Sequence, residues 1–267
     1  MVHPDDPHEA PADPRSEAGE PRAPRASSVL QGVPVTTTVL VVLVLAWLVE
    51  LVPGWDEVSA LGFSADRAAS DPWRTLTAAL VHDTPSPFHL VFNIIGFLVF
   101  GGFVERAIGH LRYGLLVLLG AIGGHVAVLV LADPLGASWE ATHIGASGAV
   151  FALVGFLLVP LPGLDRNWGG VLGFVLLNVL FLFVDRYISW QGHLGGLVTG
   201  LVFGFLAVWP SVALERRAAG AGDRAPRARV VFVFALGALV VLFLLAGAYT
   251  WRLETTGALL GSLPPVS

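Results

Sequence analysis

The chain has no cysteine and no lysine, and only 13% of its 267 residues are charged. Without cysteine there are neither disulfides nor thiolate metal sites. Without lysine, all fifteen basic positions are arginine. The shortage of charge is the most restrictive of the three. With 55% hydrophobic residues and a mean hydropathy of +0.74, there is too little polar surface to coat a soluble domain of this length. The chain belongs in a lipid bilayer. No basic surface points to nucleic acid. There is no H-E-x-x-H, and the histidines do not pair with carboxylates at ligand spacing, so no metal is expected. The N-terminal stretch lacks a short basic head leading straight into an apolar core, so it does not read as a signal peptide.

What the chain does have is apolar runs, at roughly 35 to 52, 88 to 104, 112 to 132, 145 to 160, 169 to 184, 191 to 209 and 229 to 250. Most approach the ~20 residues that a membrane helix needs, so the expected fold is an all-α, polytopic helical bundle of seven spans. Residues 1–34, rich in proline, alanine and acid, read as a disordered cytosolic tail. Residues 35–210 form a six-helix core, 211–228 a cytosolic linker, 229–250 the seventh helix and 251–267 a short outside tail. With the N-terminus inside, eleven arginines fall in inside segments. Only Arg67, Arg74, Arg186 and Arg252 fall outside, which satisfies the positive-inside rule. The longest connection, 53 to 87, then lies outside and carries tryptophans and proline-rich turns, as an interfacial loop does.

Hydrogen-bonding or ionisable residues within spans are functional candidates by default. Topology places Ser147, His193, His89 and Asn93 at one depth, each near the start of a span that follows an outside loop. If the fourth helix ends near Pro160, Ser147 is ~20 Å above the inner boundary at 1.5 Å per residue. In a core of ~30 Å this leaves its hydroxyl roughly 10 Å below the outer surface. Gly192, Gly196, Gly200 and Gly204 recur every fourth residue beside His193, and Gly148 and Ala152 lie next to Ser147 and Phe151. Such small-residue faces let two helices approach closely in lipid. That contact would bring Ser147 Oγ to His193 and pack Phe151, one turn below, on the imidazole.

The chemistry this favours is nucleophilic catalysis. A neutral serine hydroxyl needs a base within ~2.6–3.2 Å to take its proton, and histidine suits that role near neutral pH. His89 and Asn93, one turn apart, offer two donors to a developing oxyanion, and the Ser147 N–H at a helix start offers a third. No acid is placed to orient His193, so the expectation is a dyad. Taken singly, each residue has an ordinary structural reading; their coincidence at one depth is what favours chemistry. Glu105 and Arg106, at the inner end, read as structural. His125 and Asn178 read as interhelical hydrogen-bonding groups, and His143 as a weaker candidate base than His193.

These residues resemble the rhomboid intramembrane serine proteases. The resemblance runs from about Trp73 to Phe205 and rests on Trp73-Arg74, His89-x-x-x-Asn93, Gly101-Gly102-x-x-Glu105-Arg106, Gly145-x-Ser147-Gly148 and Gly192-His193-Leu194-x-Gly196, in that order. It implies a rhomboid-like six-helix core plus one C-terminal helix. It also implies Ser147 as nucleophile and His193 as general base, with an oxyanion hole from His89, Asn93 and the Ser147 backbone, helped by the turn of Gly145 and Ala146. Substrates would be single-pass transmembrane proteins cut near the outer end of the span after a small residue, with no cofactor. Two departures stand out. Phe151 occupies a position that is tyrosine in well-known bacterial members, so only its ring packing carries over. The stretch from His82 to His89 holds a small insertion, Pro85-Ser86-Pro87.

The leading expectation is thus an intramembrane serine endopeptidase whose active site opens to the extracytoplasmic side. The abundance of alanine, glycine and arginine, with no lysine, suggests a GC-rich bacterial genome and a plasma (cell) membrane. The alternative is a non-catalytic rhomboid-like binder of transmembrane clients, which would need neither Ser147 nor His193. A small-solute transporter would show inverted repeats and broken helices at the midplane, and neither is apparent.

Overall fold

A computed structural model describes residues 30–54, 56–82, 87–161, 164–184 and 189–262. The acidic tail through residue 29, the insertion residues Pro85 and Ser86, and Arg186 lie outside the described residues. Among the described residues the fold is all-helical. In chain order the helices are α1 (Pro34–Glu50), α2 (Glu57–Leu61), α3 (Arg74–Thr77), α4 (Phe88–Ile108), α5 (His110–Leu131), α6 (Ser147–Leu157), α7 (Trp168–Val184), α8 (Trp190–Gly220) and α9 (Arg227–Gly261). Helices α4, α5, α8 and α9 are long and apolar enough to cross a membrane, whereas the apolar stretches of α1, α6 and α7 are shorter.

Two of these helices change pitch along their length. A π-helical turn occupies Phe97–Gly101 in α4, and another, Gly204–Val208, lies in α8 just before Pro210. Proline has no N–H to give to the preceding turn, and a widened turn at that point lets α8 continue to Gly220. Helix α9 likewise runs past the apolar run that ends near Thr250, as far as Gly261.

Helix α6 is the hub. Every residue from Gly148 to Leu157 is buried, as expected of a helix that is apolar all round. Its eleven residues span only about 16 Å at 1.5 Å each, roughly half a bilayer core. The small-residue faces predicted for close approach do make backbone contact. A β-carbon at Gly196 would overlap the Gly148 carbonyl oxygen, and one at Gly200 would overlap the Ala152 carbonyl oxygen. On the other flank Gly120 of α5 meets the Ala152 methyl group in the same way.

Glu105 ties α4 to the start of α1. Its carboxylate accepts the backbone N–H groups of Val35 (2.9 Å) and Thr36 (2.8 Å), the Thr36 hydroxyl (2.7 Å) and His110 Nδ1 (2.7 Å). The first N–H groups of a helix have no partner within it, and a buried anion at that positive end satisfies them. Glu105 is fully buried, so its structural reading agrees with its position.

Candidate active site

The connection from α5 to α6 delivers Ser147. It is held by paired backbone bonds between Phe63 and His143 (3.0 and 2.7 Å) and by the Gly145 N–H to Ala78 O (2.8 Å). These bonds matter because irregular backbone tolerates membrane depth only when its polar groups are satisfied within the protein. Gly145 has φ +107°, a left-handed conformation that side chains disfavour, and a β-carbon there would overlap His89 Nε2. Only glycine allows the His89 imidazole to rest on this turn. Ala146 is the N-cap and Ser147 the first helical residue, so the Ser147 N–H points out of the helix start without an intrahelical partner.

Ser147 is half-buried and lines a cavity of about 10 Å³ together with His143, Gly145, Ser189 and Gly192, among others. That is close to the minimum volume for a single water. His125 borders the same cavity, and its Nδ1 donates to Thr75 O of α3 (2.9 Å) and to Ala121 O (3.1 Å). Among the described residues Asn178 does not bridge helices as expected: its amide donates within α7 to Phe174 O (2.9 Å).

His193 sits in the first turn of α8. Ser189 caps that helix by accepting the Gly192 N–H at 3.1 Å, and the His193 N–H donates to Ser189 O at 3.1 Å. The imidazole stacks on Phe151, with ring centroids 4.2 Å apart and planes 12° from parallel. Phe151 thus packs flat against the His193 ring. No hydrogen bond joins Ser147 Oγ to His193 among the described residues. The two residues share adjoining helix faces, in contact at Gly148 and Gly196.

Asn93 is buried, and its amide nitrogen donates to His89 O (2.9 Å) and toward His82 Nε2 (3.3 Å). His82 is itself fully buried and lies 5.0 Å from the His89 ring, centroid to centroid. Burial, with His89 alongside, pushes its pKa down to about 3, so the ring is neutral. Nδ1 then donates to Leu80 O (3.1 Å), which leaves Nε2 as the acceptor for Asn93. The His82 backbone N–H donates in turn to the Glu50 carboxylate (3.0 and 3.2 Å). Sequence reasoning missed Glu50, although an ionisable residue near the end of an apolar run is a signal that could have found it. Among the described residues no cluster of histidine and carboxylate could hold a metal ion.

Residues 69–210 match the model of the Rhomboid domain, a little over half of the chain. The putative rhomboid protease YdcA of Bacillus subtilis is 29% identical over 184 residues, covering 66% of this chain and 89% of that protein. The uncharacterized protein Rv1337 of Mycobacterium tuberculosis is 33% identical over 209 residues, 70% of this chain and 82% of the relative. The rhomboid protease GlpG of Haemophilus influenzae is 28% identical over 146 residues, 51% of this chain and 70% of the relative.

Proposed function

The chain belongs to the rhomboid family and is a multi-pass membrane protein, and from that premise we propose that it is an intramembrane serine endopeptidase using a Ser147–His193 dyad. The shorter helices α1, α6 and α7 complete seven spans with α4, α5, α8 and α9, in a six-helix core extended by α9. The N-terminus is cytosolic, and the site opens to the extracytoplasmic side of the plasma membrane. Substrates are single-pass transmembrane proteins.

One observation carries the reading: His193 is stacked on Phe151, one turn along the helix from Ser147, where α6 and α8 touch backbone to backbone. A serine at the N-terminus of a helix about 16 Å long lies well within the bilayer core. The unravelled outer end of a substrate helix enters beside α7. Ser147 Oγ attacks its carbonyl carbon while His193 takes the hydroxyl proton. His193 then returns that proton to the leaving amine, and water from the outer side hydrolyses the acyl-enzyme. The developing oxyanion meets the free Ser147 N–H and the His89 imidazole, which rests on the Gly145–Ala146 turn. Asn93 joins by exchanging the longer of its two bonds, the one to His82, for a bond to the oxyanion. Donors of this kind are each worth about 10²–10³ in rate.

A client-binding protein without catalysis has the same fold, and the unmade Ser147–His193 bond favours it. Reconstituted cleavage of a helix-destabilised transmembrane substrate separates the two. Ser147→Ala and His193→Ala should each abolish cleavage and Ser147 labelling by a fluorophosphonate. Undiminished cleavage by either variant would overturn the dyad.

A further inference from the structure

The outer end of α9 carries polar contacts that a helix anchored only in lipid has no use for. Tyr249 Oη donates to Ala68 O in the first loop at 2.6 Å. Arg252 Nε donates to Leu129 O at 3.2 Å, and its Nη2 donates to Ala132 O. Those two carbonyls belong to the last turn of α5 and its C-cap, where a helix leaves its C=O groups unpartnered and presents its negative end. The guanidinium also lies 5.7 Å from the ring centroid of Trp139, in the connection that leads to Ser147. Around these contacts a second apolar cluster closes, apart from the main core: Phe63, Ala78 and Leu129 are buried in it, with Trp139, Tyr249 and Leu253 packed against them.

That cluster is wired to the active site through backbone. Phe63 is paired with His143, and Ala78 O holds the Gly145 N–H. We infer that the outer end of α9 is a strap, with Tyr249 and Arg252 as positioning residues that hold the first loop and the α5–α6 connection so that the Gly145 turn keeps its shape. Its catalytic consequence rests on the peptidase reading above; its structural consequence does not.

The test uses the full chain in lipid nanodiscs, comparing wild type with Tyr249→Phe, Arg252→Gln, Arg252→Lys and the outward-facing control Phe243→Ala. Hydrogen exchange is followed peptide by peptide, and kcat is taken per site titrated with a fluorophosphonate. Exchange over residues 133–146 should quicken about fivefold in Tyr249→Phe and Arg252→Gln, the factor set by one ordinary hydrogen bond, and stay unchanged over 102–116. Turnover per titrated site should fall on the order of tenfold with KM unmoved, less than the ~100-fold that a 1 Å misplacement costs. Arg252→Lys should recover part of both, and Phe243→Ala should resemble wild type. Exchange over 133–146 that matches wild type, or a rise spread over the whole protein, overturns the strap. A wild-type protein that neither cleaves nor labels overturns the peptidase reading instead, while the exchange data still decide the strap.

Discussion

The two flanks of α6 are built from different materials. Toward α8 the contacts are backbone against backbone, Gly196 on Gly148 O and Gly200 on Ala152 O, and toward α5 Gly120 sits directly on the Ala152 methyl group. Toward α7 they are ring against ring, with Phe174 set 6.0 Å from Phe151, and Phe174 lies a further 5.0 Å from Phe100 of α4. Between Trp168 and Leu180 only Val171 is buried. A carbonyl oxygen in van der Waals contact cannot yield, whereas a ring at the edge of a bundle can change rotamer. The glycine flank is therefore the wall that holds Ser147 and His193 in register, and on the proposed peptidase reading the aromatic flank is the seam that opens to a substrate helix.

The sharpest way to break this contrast is Gly200→Leu. The added side chain meets a main-chain oxygen, so the cost belongs at the upper end for overpacking, ~3 kcal/mol or more. Thermal unfolding in nanodiscs should show a large drop, along with loss of fluorophosphonate labelling. A near-normal midpoint would mean that the wall gives as easily as the seam. Phe174→Ala, on the opposite flank, should cost only ~1–2 kcal/mol, below the ~3–5 of a fully buried phenylalanine. It should quicken cleavage of a transmembrane substrate while leaving fluorophosphonate labelling unchanged. Slower cleavage with normal labelling would show that α7 guides the substrate rather than obstructing it.

Phe151 belongs to both flanks, since it stacks on His193 and contacts Phe174. Phe151→Leu keeps most of the volume and removes the ring. An aromatic pair is worth ~0.5–1.5 kcal/mol, so kcat should fall by up to about tenfold with KM unchanged. An equal fall in fluorophosphonate labelling would tie the loss to the base, whereas a rise in KM alone would assign Phe151 to the substrate seam.

How much of this was legible from residues follows the same division. The glycine stripe beside His193 and the small residues beside Ser147 state their function in their spacing, because close approach needs small side chains at regular intervals. The stack of Phe151 on His193 followed from that register. What escaped was set by long-range partners. Helix α9 runs on to Gly261 because Tyr249 and Arg252 have protein to bind, although Arg252, Glu254, Thr255 and Thr256 lower the hydropathy that marks a span. The α2 and α3 turns lay hidden in a segment that reads as loop. His82 has no role legible in the sequence, since its partners Glu50 and Asn93 lie 32 and 11 residues away.

The smallest effect concerns that last network, which braces α4 against α1 beside the wall. His82 is neutral in the fold because burial and the neighbouring His89 hold its pKa near 3, whereas in an unfolded chain it would titrate near 6.5. The unfolded state therefore binds the extra proton. The stability that His82 contributes is complete above pH ~6.5 and drains away as pH falls toward 3. One proton sets a ceiling of about 1.4 kcal/mol per pH unit, so moving from pH 7 to pH 6 should lower the melting midpoint only slightly. His82→Gln should be less stable at pH 7, having lost the Asn93 acceptor geometry, yet its midpoint should decline less steeply with acid than that of wild type. His143, also held low by burial, titrates in both proteins and cancels in the comparison. Parallel acid slopes for the two proteins would mean that His82 is already open to protons in the native state. The brace on Asn93 would then be no firmer than the seam.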